Sequence, residues 1–189
     1  MNEIRLLRPS ADRLPGYRDA LERGWSADNV RLEEAAREDL AAISADSGRF
    51  LAALEDLEAK GPPIQLPDGA LVPRLPGFVR WIWDGDFCGS IGFRCQPGTS
   101  ALPAHVLGHI GFAIVPWKRG RGYATQALRA MLKLAREQGL EYVELTADPD
   151  NPASQHVIAR CGGVLVERFR KDSAYGGGEC LRFRIDLPA

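Results

Sequence analysis

Between Ile110 and Ala135 the chain changes character three times. Ile110, Gly111, Phe112, Ala113, Ile114 and Val115 form an apolar, strand-like run that stops at Pro116. Arg119, Gly120, Arg121, Gly122, Tyr123 and Ala124 follow as a basic, glycine-punctuated loop. Apolar residues then recur at helical spacing through Ala124, Ala127, Leu128, Met131, Leu132 and Ala135, with Gly139 as the stop. A strand feeding such a loop at a helix start restricts the fold to the α/β classes. It also creates an anion site in the same place. The first N–H groups of the helix lack acceptors, the helix dipole favours negative charge, and glycine lets the backbone approach closely. A ligand carrying phosphate is the expectation.

The remaining patterns arrange themselves around that unit. Ile4–Leu7 reads as a strand, and Pro15–Arg23, Leu32–Ile43 and Phe50–Leu57 read as helices. Gly61–Gly77 holds Pro62, Pro63, Pro67, Pro73 and Pro76 and reads as a long loop. Phe78–Trp83 and Phe87–Cys95 predict strands around a turn at Asp84-Gly85. Gln96–Ala104 is a loop and Val106–Val115 the next strand. A helix over Tyr123–Gln138, a strand over Glu141–Ala147 and a helix over Asn151–Cys161 come next, the last with Pro152 at its first position and Gly162 past its end. Val164–Arg170 and Cys180–Leu187 close the chain as strands joined by a turn at Gly176-Gly177-Gly178. This order predicts one α/β (α+β) domain in which an antiparallel meander is followed by a helical crossing. It does not fit a doubly wound fold, which alternates strand and helix throughout.

Composition narrows the partners. Lys+Arg 24 against Asp+Glu 25 gives a net charge of −1, which speaks against nucleic acid or an anionic membrane as a bulk partner. Lys118, Arg119 and Arg121 can still make a local basic pocket. Cys88, Cys95, Cys161 and Cys180 show no zinc spacing, and His105, His109 and His156 show no ligand spacing, so no metal is expected. No signal-like N-terminus and no long apolar run are present, so a cytoplasmic location is the expectation. The loop is not a P-loop, because no Gly-Lys-Ser/Thr follows it. It is not the dinucleotide fingerprint either, because Thr125 stands where that motif needs Gly or Ala.

Two residues are candidates for proton transfer. His109 leads into the loop on the same face as the small Gly111 and Ala113, where a general base near neutral pH would have space beside it. A core histidine held by a hydrogen bond is the other reading. Glu144, on the following strand, is the competing base. Asn151 before Pro152 is a helix N-cap, which leaves its amide able to meet a ligand as well. Trp81 and Trp83 pack a sheet face.

Residues 108–125, Gly-His-Ile-Gly-Phe-Ala-Ile-Val-Pro-Trp-Lys-Arg-Gly-Arg-Gly-Tyr-Ala-Thr, resemble the acyl-CoA-binding motif of the GNAT superfamily of N-acetyltransferases. Asp148-Pro149-Asp150-Asn151-Pro152-Ala153-Ser154, followed by Val157-Ile158-Ala159-Arg160-Cys161-Gly162-Gly163, resembles its second motif, most of all in a branch of bacterial acetyltransferases. The resemblance covers residues 78–187, the acyl-CoA-binding core. Residues 1–77 would be a helical, acceptor-side part of the same domain. The fold implied is a mixed, mostly antiparallel central sheet flanked by helices and splayed between the strand ending near Val115 and the one starting near Tyr142. Acetyl-CoA would lie in that split as co-substrate. Phe112, Ala113 and Ile114 would meet its pantetheine arm through backbone groups. Arg119, Gly120, Arg121, Gly122, Tyr123, Ala124 and Thr125 would cradle its diphosphate. Asn151, assisted by Ser154, would contact the cofactor chain. Many members carry a tyrosine seven residues after the asparagine to protonate the leaving thiolate; this chain has Ile158 there.

The resemblance implies transfer of an acetyl group to a primary amine of a small molecule or peptide by direct attack; His109, directly or through water, is the expected base and Glu144 its competitor. A non-catalytic acyl-CoA sensor is the alternative, and a nucleotide-binding domain using the same loop a second one. Asp46, Glu55, Asp56 and Asp68 could draw a cationic acceptor. A homodimer is left open.

Overall fold

The computed structural model describes residues 3–65, 69–172 and 177–188. The chain opens with β1 (Arg5–Leu7), α1 (Leu14–Glu22), α2 (Glu33–Ala45) and α3 (Ser47–Ala53). The next strands are β2 (Glu55–Asp56), β3 (Ile64–Gln65), β4 (Leu71–Val72), β5 (Gly77–Trp83), β6 (Phe87–Arg94) and β7 (Ile110–Ile114). A short 3-10 turn, Pro116–Lys118, precedes α4 (Tyr123–Glu137), β8 (Tyr142–Ala147), α5 (Pro152–Arg160), β9 (Val164–Arg170) and β10 (Glu179–Asp186).

The strands form two main sheets. In the larger, five-stranded one the order is β1-β5-β6-β7, with β2 also on β5; the smaller runs β8-β10-β9. All these pairs are antiparallel. β7 and β8 meet only at one end and share no ladder, so the layer is splayed there, as the sequence leads one to expect. Gly108 lets them meet: a Cβ there would stand 2.9 Å from the Glu144 carbonyl oxygen.

Helices cover the sheets because their apolar faces need a partner. On one face α4 and α5 bury Tyr123, Ala127, Leu128, Met131 and Ile158 against Ile82, Ile91, Val143, Leu145 and Phe183. On the other, α1–α3 bury Leu14, Tyr17, Ala36, Ile43 and Phe50 against Trp81, Phe87 and Val115. Trp81 stacks on Tyr17 at 5.2 Å between ring centroids, so it is a core residue. Among the described residues, no second apolar cluster covers the outward face of the smaller sheet, where Tyr142, Glu144 and Thr146 alternate with the core-facing Val143 and Leu145.

Three expectations need correction. The helix predicted over Phe50–Leu57 is α3, shifted toward the N-terminus. Asp46 caps it by accepting from the Arg49 N–H, and Glu55 and Asp56 leave it to pair with Phe78 and Gly77 on β5. The strand predicted over Val106–Val115 is limited to β7. Val106 instead closes a turn onto the Pro103 carbonyl, and His109 bends before the ladder starts. The proline-rich loop contains the small β3–β4 hairpin; Pro67 and Asp68 lie outside the described residues, as does Gly176 of the last turn. Among the described residues, no helix is long and apolar enough to cross a membrane.

Candidate active site

The site is built on the split between β7 and β8. At its closed end the His109 N–H donates to the Glu144 carbonyl at 2.8 Å, and the Glu144 N–H donates to His109 Nδ1 at 2.9 Å. The imidazole thus does what a strand carbonyl would do one step further along a ladder. His109 is 0% exposed, and its Nε2 has no partner within the described residues. Burial pushes its pKa down to about 4, against the opposing pull of the Glu144 carboxylate. With Nδ1 already accepting, the proton of the neutral ring sits on Nε2. This geometry weighs against a base and for a seam-holding residue.

Beyond the seam one edge of the β7 backbone has no strand partner. Arg94 donates to the His109 carbonyl and Val115 donates to the Cys88 carbonyl. By the two-residue period of an antiparallel pair, the N–H and C=O groups of Gly111 and Ala113 face β6, while those of Phe112 and Ile114 face the split. Phe112 and Ile114 therefore offer backbone groups there. Ala113 does not, since its polar groups are turned to Ser90 on β6.

At the open end lies the loop Arg119–Gly122. Gly120 and Gly122 have φ of +75° and +77°, which a side chain would strain, and Gly122 is the N-cap of α4. The first helical bond runs from the Gln126 N–H to the Gly122 carbonyl. Among the described residues, no acceptor is found for the N–H groups of residues 120–125. No side chain caps α4 either. Arg119 and Arg121 are exposed and are steadied by their own backbone: Arg119 Nε donates to the Ile114 carbonyl at 3.3 Å and Arg121 Nη2 to the Trp117 carbonyl at 3.4 Å. Unpartnered amides, a helix N-terminus and two guanidinium groups make this the strongest anion site that the described backbone offers.

Lys118 does not belong to that pocket, contrary to the sequence reading. It is buried, and its Nζ lies 2.7 Å from Asp84 Oδ1. On α5, the Asn151 side chain accepts from the Ser154 N–H at 3.0 Å, as a cap does, and Asn151 itself is exposed. Ile158 is 1% exposed and packs inward beneath α5, so no polar group replaces the missing tyrosine there.

Glu144 is 7% exposed and held by two arginines of β10, Arg184 Nη2 at 2.8 Å and Arg182 Nη1 at 3.0 Å. Burial alone would raise its pKa, but these hydrogen bonds outweigh it and hold the carboxyl below the ordinary range. Arg184 also stacks over Tyr142 at 3.9 Å, and Arg182 over Phe169 at 4.9 Å. A carboxylate so tightly paired is a poor proton acceptor. The arginines escaped the sequence reading, although their alternation with Phe183 and Ile185 does place them together on one face. Of the four acidic residues expected to draw a cationic acceptor, Asp68 lies outside the described residues and the other three are engaged. Asp46 caps α3, Glu55 pairs with Arg8 and Arg80, and Asp56 accepts from the Lys60 and Gly61 N–H groups.

Comparison with known proteins bears on the family and the fold. A family model described as an acetyltransferase (GNAT) domain matches residues 70–164. No curated protein matches the chain. Among solved structures, RimL, a ribosomal-protein alpha-N-acetyltransferase in complex with coenzyme A, is 12% identical with a TM-score of 0.65, covering 99% of this chain and 96% of its own. The microcin C7 self-immunity acetyltransferase MccE, in complex with acetyl-CoA and AMP, is 14% identical with a TM-score of 0.60, covering 98% and 93%. A chimera of the spermidine N-acetyltransferase SpeG from Vibrio cholerae is 12% identical with a TM-score of 0.58, covering 97% and 95%. At these identities the likeness speaks for the fold.

Proposed function

Since the chain belongs to the GNAT acetyltransferase family, we propose that it moves an acetyl group from acetyl-CoA to a primary amine of a small molecule or peptide by direct attack on the thioester. The row of unpartnered N–H groups at residues 120–125, at the mouth of the split, carries this reading. The diphosphate of acetyl-CoA docks on those amides with Arg119 and Arg121 beside it. The pantetheine arm runs into the split against the backbone N–H and C=O of Phe112 and the N–H of Ile114, whose carbonyl already accepts from Arg119. Asn151 and Ser154 border the same arm.

The reaction is a displacement at carbonyl carbon. The neutral amine adds its lone pair, an N–C bond forms, the C–S bond breaks, and the electron pair leaves on sulfur. An N–H group of β7 facing the split steadies the oxyanion, and such a donor commonly contributes about 3 kcal/mol. A thiolate with a pKa of about 8.5 leaves without a strong acid, so the loss of the tyrosine at Ile158 is tolerable. The proton shed by the amine goes to water. His109 and Glu144 are not assigned that step, because the first has its free lone pair engaged and the second is bound to Arg182 and Arg184. The protein acts chiefly by positioning.

The test is thiol release from acetyl-CoA with a panel of polyamines, amino acids and peptide N-termini, with the acetylated amine identified by mass. Acceptor-dependent release of one thiol per amide formed is expected. Tight CoA binding with no release in the presence of any amine would favour the sensor instead.

A further inference from the structure

The loop that meets the diphosphate has its two feet on one carboxylate, and that carboxylate comes from another part of the sheet. Asp84 sits in the turn between β5 and β6, with its side chain 9% exposed. Its Oδ1 accepts from Lys118 Nζ at 2.7 Å, and its Oδ2 accepts from the Tyr123 hydroxyl at 2.6 Å. Lys118 is the last residue before the loop Arg119–Gly122, and Tyr123 is the first residue of α4 after it. Lys118 Nζ also approaches Cys88 Sγ at 3.5 Å and Asp86 Oδ2 at 3.7 Å, so the ammonium is enclosed by the β5–β6 turn and the start of β6.

We propose that Asp84 is a positioning residue for the acyl-CoA diphosphate, clamping both ends of the loop so that the amides of residues 120–125 face the ligand before it arrives. The inference rests on the reading of that loop as the diphosphate site. The clamp acts by preorganisation. The two glycines leave the loop many conformations, of which few point successive N–H groups the same way, and ordering them on binding weakens affinity. Asp84 fixes the feet with two hydrogen bonds to its carboxylate, both charge-assisted, in a place shielded from water. It touches no reacting atom, so its effect belongs to binding and not to the chemical step.

Two acyl donors separate this role from a general loss of structure. Acetyl-CoA carries the diphosphate, and S-acetyl-pantetheine offers the same thioester and arm without it. For Asp84→Asn, which keeps one acceptor oxygen but loses the carboxylate, KM for acetyl-CoA is expected to rise about tenfold or more with little change in kcat. Turnover of S-acetyl-pantetheine is expected to stay at the wild-type level. Tyr123→Phe removes only the hydroxyl and serves should the first variant not fold; it is expected to raise the same KM, and the double variant to exceed the worse single one by little. An unchanged KM for acetyl-CoA in both single variants overturns the clamp, as does an equal loss with both donors. Wild-type protein that uses the two donors equally well would instead show that the loop does not hold a diphosphate, which is a separate failure.

Discussion

Lowering the pH from 7 to 5 should remove stability that the wild-type protein draws from a neutral, buried His109. The ring accepts the Glu144 N–H on Nδ1, is fully enclosed, and has a pKa pushed down to about 4 from an ordinary value of 6.5. The unfolded chain therefore takes up a proton on this histidine below about pH 6.5, while the folded one resists until about pH 4. The contribution to stability is complete above the upper value and is lost as the pH falls toward the lower. Each pKa unit corresponds to about 1.4 kcal/mol, so the loss between pH 7 and pH 5 comes to about 2 kcal/mol. The reference is His109→Asn, whose amide oxygen stands close to where Nδ1 was and does not titrate. That variant loses ring packing by a fixed amount, so its offset from wild type at neutral pH is not the test; the change of the offset with pH is. Urea unfolding at several pH values between 5 and 8 measures it, and all other titrating groups cancel in the difference. The stability advantage of wild type should shrink by about 2 kcal/mol toward pH 5. A difference that stays flat, or that grows as the pH falls, would refute a neutral His109 at the seam and return it to the list of bases.

Other consequences follow from the same geometry. Glu144→Gln leaves Arg182 and Arg184 facing a neutral partner in a largely buried place and should destabilise the fold by about 2 kcal/mol in thermal or urea unfolding. Ile158→Tyr should destabilise by about 1–3 kcal/mol through overpacking beneath α5 without accelerating thiol release, because position 158 faces the core; a stable and faster variant contradicts that placement. Asn151→Ala should cost about 1 kcal/mol as a lost helix cap and also weaken CoA binding in calorimetry; a loss of stability alone would make Asn151 a cap and nothing more.

What could be read in the sequence was what depends on near neighbours. The glycine loop and the helix behind it are set by residues within two turns of each other, and the paired strands on either side of Asp84-Gly85 are marked by the turn dipeptide between them. The split itself followed from the family resemblance and is present between β7 and β8. The side-chain roles that came out differently all turn on distant partners. His109 reads as a free imidazole until Glu144, 35 residues later, is laid beside it. Lys118 reads as part of a basic pocket until Asp84, 34 residues earlier, takes its ammonium. Glu144 reads as a competing base until β10 brings Arg182 and Arg184 across in register with Thr146 and Glu144. The α3 boundary moved for a local reason, because an Asp46 cap was available earlier than the apolar spacing suggested.

The claim under all of this is that main-chain amides receive the ligand's diphosphate. Adding CoA to isotopically labelled protein and following its backbone amides by NMR measures that directly. The N–H resonances of Gly120, Arg121, Gly122, Tyr123, Ala124 and Thr125 should move downfield and their exchange with solvent should slow, while pantetheine leaves them in place. CoA that binds with those signals unmoved would contradict it.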